Sequence, residues 1–75
     1  MNAERRKRIA AIVETLEGVK GALEDLQSEE EEAFDNLPES LQESEKGEAS
    51  QEAASSLEEA ASSLEDAIGT LGEVN

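Results

Sequence analysis

The spacing of apolar residues predicts an all-α chain, an antiparallel helical hairpin of two long helices that self-associates into a four-helix bundle. Three observations carry that expectation. Ile9, Ile12, Leu16, Val19, Leu23 and Leu26 follow one another at alternating spacings of three and four, the period of one face of an α-helix. Nearer the other end, EAASSLE starts at Glu52 and again at Glu59, and DAIGTLG repeats the pattern from Asp66. Between the two periodic segments lies DNLPESLQESEKGE, which is irregular and holds the only proline.

The first helix is expected over residues 3–35. Asn2 suits the N-cap and Glu4 the first turn. Val13 widens the apolar seam. Phe34 lies eleven residues beyond Leu23, which lies eleven beyond Ile12, and three turns of helix return such residues to nearly one azimuth. The helix therefore continues through EEEEAF and measures on the order of 50 Å. Residues 36–44 form the turn. Pro38 disfavours helix at Leu37, and Asn36 is a natural turn residue. A short helical turn from Pro38 to Gln42 would fold Leu37 and Leu41 back over Phe34. The second helix is placed at residues 45–72, starting near Ser44. A start at Ser40, with Glu43 completing a capping box, would put Gly47 inside the helix at a cost of about 1 kcal/mol.

In the second helix Leu57, Leu64 and Leu71 recur every seven residues, with Ala53, Ala60 and Ala67 on one side and Ala54, Ala61 and Ile68 on the other. Small residues beside a leucine ridge let another helix approach closely. One flank of this ridge can meet the first helix while the other meets a second subunit, which assigns self-association, a dimer first, to Leu57, Ala60, Ala61, Leu64, Ala67, Ile68 and Leu71. The alternative is an isolated hairpin in which alanine is only a good helix former. Sixteen large apolar residues, eleven alanines and a single aromatic make a thin core for 75 residues, and small chains with thin cores commonly need a partner.

Composition removes several function classes. There is no cysteine and no histidine, so disulfides, the commonest metal ligand and the usual general base at neutral pH are all lacking. The serines have no base to activate them, the glycines form no phosphate-binding fingerprint, and the EEEE run offers diffuse ion association at most. No enzyme activity, cofactor or metal site is expected. No apolar run reaches membrane-spanning length, and a cytoplasmic location is expected.

Charge is the second informative feature. Six basic and twenty acidic residues give a net charge of −14. Arg5, Arg6, Lys7 and Arg8 form one cluster, whereas Lys46 is the only basic residue between Glu24 and Glu52. The hairpin should have a basic end, offset by Glu65, Asp66 and Glu73, and an acidic turn. In an antiparallel pair of hairpins each basic end would approach the other's acidic turn. Direct nucleic-acid binding is not expected, because the overall field repels phosphate. A rigid acidic rod can instead imitate nucleic acid before a basic host protein, here through Glu29, Glu30, Glu31, Glu32, Asp35, Glu39 and Glu43. Duplex DNA carries one charge per roughly 1.7 Å, against one per about 3.6 Å for this rod and about twice that density for a dimer. The competing reading is a scaffold bundle whose acidity serves solubility.

The segment EEEEAFDNLPESLQESEKGE, preceded by RRKRIAAIVETLEGVKGALEDL and followed by EEAASSLEDA, resembles small acidic helical proteins encoded by bacteriophages and integrative elements of Gram-positive bacteria. AFDNLPESLQESEKGE, residues 33–48, is its most distinctive part. The resemblance implies a mobile-element origin, in which small acidic proteins often act by binding and inhibiting host machinery, and it supports a partner-binding role. It carries no catalytic residue.

Overall fold

A computed structural model of the chain describes residues 1–74. Helix α1 (Ala3–Asp35) and helix α3 (Glu45–Gly72) run antiparallel and pack along their length, joined by the one-turn helix α2 (Glu39–Gln42). The Cα atoms fill a rod of 58 × 14 × 11 Å with a radius of gyration of 17.2 Å, against about 11 Å for a compact chain of this length.

Local chemistry accounts for the helix ends. Asn2 is extended, and its Oδ1 accepts the Arg5 amide at 2.9 Å, satisfying one of the unpaired donors of the first turn of α1. At the other end the Asn36 amide donates to the Glu32 carbonyl and the Leu37 amide to that of Phe34, each at 3.0 Å. Pro38 then turns the chain to an extended ψ of 147° and starts α2. Ser44 is the N-cap of α3, but its hydroxyl turns back and donates to the Leu41 carbonyl at 2.6 Å.

The helices meet along a seam with a 3.5-residue repeat. On α1 it runs Ile9, Val13, Leu16, Lys20, Leu23, Gln27, Glu30, Phe34; on α3 it runs Gly47, Ser50, Ala54, Leu57, Ala61, Leu64, Ile68, Leu71, all of them half-buried or buried. Half of the α1 seam expected from hydropathy is therefore displaced. Ile12, Val19 and Leu26 are 52%, 45% and 51% exposed, because α3 lies against the neighbouring flank. There Lys20 and Gln27 can cover the seam with their methylene stems and keep their polar ends in water.

The turn closes through polar groups. Phe34 and Leu37 are half-buried, but Leu41, expected to cover them, is exposed. The Gln42 amide nitrogen instead donates to the carbonyls of Phe34 and Leu37, both at 3.1 Å, tying α2 to the end of α1. The Gln42 carbonyl then rests on the first turn of α3 at Gly47, where an added Cβ would collide with it. Gly47 supplies clearance here, which outweighs its poor helix propensity. One turn further along α3, the buried hydroxyl of Ser50 donates to Glu30 Oε1 at 2.6 Å. Glu30, expected in a surface cluster, thus points into the seam.

Gly47→Ala is expected to destabilise the hairpin by about 1–3 kcal/mol through overpacking, although alanine is the better helix former. Gly18→Ala, where an added Cβ meets nothing within 4 Å, should stabilise by about 0.5–1 kcal/mol. Thermal unfolding followed by circular dichroism measures both, and equal shifts of one sign would rule out the close contact at Gly47. Ser50→Ala should cost about 1–3 kcal/mol by leaving the Glu30 carboxylate without its donor. Adding Glu30→Leu should recover most of that loss, since no polar group is then left unpaired.

Candidate functional site

Residues seven apart form one stripe along a helix, and in an antiparallel pair the equivalent stripes of the two helices share one side. The seam registers of α1 and α3 are equivalent in this sense. Glu17, Glu24 and Glu31 of α1 therefore lie on the same side as Gln51, Glu58 and Glu65 of α3. Two shallow adjoining grooves follow this side. One is bounded by Glu24 and Gln27 against Glu58 and Glu65, the other by Glu31 and Asp35 against Gln51 and Glu58. The Glu31 carboxylate accepts the Gln27 amide at 2.9 Å. Lys20 reaches Glu65 at 3.8 Å, the only ion pair among the described residues. It is too solvated to hold much stability. Glu65 thus faces Lys20, and among the described residues no carboxylate pairs with Arg5, Arg6, Lys7 or Arg8.

The opposite side is different in kind. Ile12, Thr15, Val19, Ala22 and Leu26 of α1 lie there with Ala49, Ala53, Ser56, Ala60, Ser63 and Ala67 of α3, and all of these are exposed. A groove shared by Glu30, Ala33 and Leu37 with Lys46, Ala49 and Ser50 marks the same side at the turn end. A chain in which 35% of residues are charged thus keeps a continuous face with no charge between Arg8 and Glu29 on α1.

The residues singled out in the sequence are distributed as follows. Glu29, Glu30, Glu31 and Glu32 are consecutive, and steps of about 100° around a helix spread them over its circumference. Glu31 joins the acidic side with Asp35, Glu30 enters the seam, Glu29 borders the uncharged face, and Glu32 faces outward. Glu39 and Glu43 are exposed at either end of α2. Together they make a crown around the turn. The straight acidic rows are Glu17–Glu24–Glu31 and Glu58–Glu65, which sequence reading passed over in favour of the EEEE run. Their signal was the sevenfold spacing. Of the proposed self-association set, Leu57, Ala61, Leu64, Ile68 and Leu71 line the seam with α1, while Ala60 and Ala67 are exposed on the uncharged side.

Among the described residues no three acidic side chains converge where a metal ion could be held, and no helix is long and apolar enough to cross a membrane. What the molecule offers is surface: an acidic side, an acidic crown and an uncharged face. Compared with known proteins, the chain matches no family model, no curated relative and no solved structure.

Proposed function

We propose that the protein is a non-enzymatic interaction protein of mobile-element origin that binds and inhibits a basic protein in the host cytoplasm through its acidic, nucleic-acid-like side. The observation that supports this reading is the paired rows of glutamates flanking open grooves on one side of a rigid rod. Fixed like charges on a rigid frame attract a basic cleft at long range, and little order is lost on docking. The likeness to nucleic acid lies in charge and shape rather than spacing. A net −14 over 58 Å is one charge per about 4 Å, less than half the density of duplex DNA.

The scaffold reading also has an observation in its favour. Glu52, Glu59, Asp66 and Glu73 form another exposed row on the outer side of α3, so acidity is not confined to the grooved side. Solubility alone would account for it.

A matched pair of triple variants separates the two readings. Glu24→Gln, Glu31→Gln and Glu58→Gln neutralise the grooved side; Glu52→Gln, Glu59→Gln and Asp66→Asn remove the same charge from the outer side. Against the basic protein captured from host lysate, the first set should weaken binding by on the order of ten-fold, since three exposed charge contacts contribute about 0.5 kcal/mol each. It should also reduce the salt dependence, while the second set changes little. Duplex DNA should compete. Equal effects from the two sets, or no competition, would leave the scaffold reading.

A further inference from the structure

We propose that the uncharged face seats a second copy of this chain, packed antiparallel so that α1 lies on α1 and α3 on α3 about a two-fold axis at the level of Val19 and Ala60. The inference does not depend on the identity of any host partner.

The need for a partner shows in the surface. The hairpin exposes 5511 Å², whereas a compact monomer of 8.0 kDa exposes about 4,450 Å². The excess, about 1,000 Å², is on the scale that each partner contributes to a standard protein interface, about 800 Å². Among the described residues Ala61 is the only buried hydrophobic residue and no large side chain is fully buried. The face that would cover this deficit is the one where Ile12, Val19 and Leu26 stand about half exposed. Three large aliphatic side chains at heptad spacing, beside exposed Ala53, Ala60 and Ala67, form the missing half of a bundle core.

The identity of the partner follows from self-complementarity. A two-fold axis at Val19 places Ile12 opposite the partner's Leu26 and Arg8 opposite the partner's Glu29 and Glu30. The Ser50–Glu30 contact sets the register of the hairpin, bringing Val19 level with Ala60 to within about one residue, or 1.5 Å. The same axis therefore places Ala60 opposite its own copy and Ala53 opposite the partner's Ala67. Alanine against alanine lets the α3 pair approach closely, while the aliphatic residues fill the wider α1 pair. Arg5 and Arg8 line a groove with Met1, Ile9 and Ile12 at one end of this face, and Glu29 borders its other end. In the parallel arrangement both basic clusters would meet, as would both acidic crowns. Charge complementarity therefore favours the antiparallel pair.

The chain has no cysteine, so single thiols report the geometry directly. The full-length protein should sediment as a dimer at micromolar concentration. Val19→Cys and Ala60→Cys should each give a disulfide-linked dimer on mild oxidation, because residues at the axis come within the 4.4–6.8 Å Cα separation a disulfide requires. Gly18→Cys, on the outward side, should not. Ile12→Cys and Leu26→Cys should cross-link when mixed and not alone. Arg8→Glu should raise the dimer dissociation constant about ten-fold, and Arg8→Glu combined with Glu29→Arg should restore it. That pair tests the interface without placing a charge in its apolar centre. A wild-type monomer at micromolar concentration would overturn the proposal. So would cross-linking of Val19→Cys only with Ala60→Cys, the signature of α1 lying on the partner's α3, or failure of the double charge exchange to restore assembly.

Discussion

The contact between α1 and α3 runs through Leu16, Leu23, Leu57, Ala61 and Leu64, and of these only Ala61 is buried. Two helices shield one stripe of each other, so a leucine in a two-helix seam keeps part of its surface in water and yields only part of the stabilisation of full burial. The chain compensates with local devices. Alanine and glutamate occupy many of the exposed positions of α3, Asn2 caps α1, and the Gln42 amide bridges two carbonyls at the turn. Each device contributes about one kcal/mol, and none of them shields the aliphatic stripe on the remaining side. The geometry that leaves this stripe open also makes the molecule a rod, and a rod presents its charges in rows.

The helix ends were legible in the sequence because single residues decide them. Asn2 and Asn36 with Pro38 change what the backbone can do, whatever packs nearby, and Ser44 marks the start of α3 although its hydroxyl caps none of its amides. The choice of flank was not legible. Ile12, Val19 and Leu26 outweigh Val13, Lys20 and Gln27 on any hydropathy scale, yet α3 packs beside the latter set. On α3 the two flanks of the leucine ridge are nearly indistinguishable, Ala53, Ala60 and Ala67 against Ala54, Ala61 and Ile68, with Ile68 the one large difference. That isoleucine lies on the flank that meets α1. Side-chain hydrogen bonds were likewise beyond reach. Nothing in the letters says that Ser50 will meet Glu30, or that Gln42 rather than Leu41 will close the turn.

The acidic surface shows the same division between what stands out and what is placed. EEEE is the densest run of charge in the chain, but adjacent helix residues diverge by about 100°, so it forms a crown instead of a ridge. The rows come from Glu17, Glu24 and Glu31 with Glu58 and Glu65, which are scattered through the sequence and collected only by the heptad. Gly47 shows the same division. Propensity counts its missing side chain as a loss to the helix, whereas the structure uses that space to pass the Gln42 carbonyl.

The uncharged face and the acidic side respond to solvent in opposite senses, which gives the proposed arrangement a physical logic. Two hairpins, each with a net charge of −14, repel at long range, and that repulsion is opposed at short range by burial of Ile12, Val19 and Leu26 and by the match of Arg5 and Arg8 with Glu29 and Glu30. Added salt screens the long-range term first, because the Debye length falls to about 8 Å at physiological ionic strength while contacts within the interface remain shorter than that. Association through an uncharged face therefore gains from moderate salt. Attraction of the acidic side to a basic cleft loses, since it depends on the very field that salt removes. In the antiparallel pair the basic clusters lie beside the crowns, so each end of the bundle becomes more nearly neutral and the glutamate rows along its sides carry the remaining field. Assembly would thus concentrate the negative potential on the grooved sides, facing away from the two-fold axis.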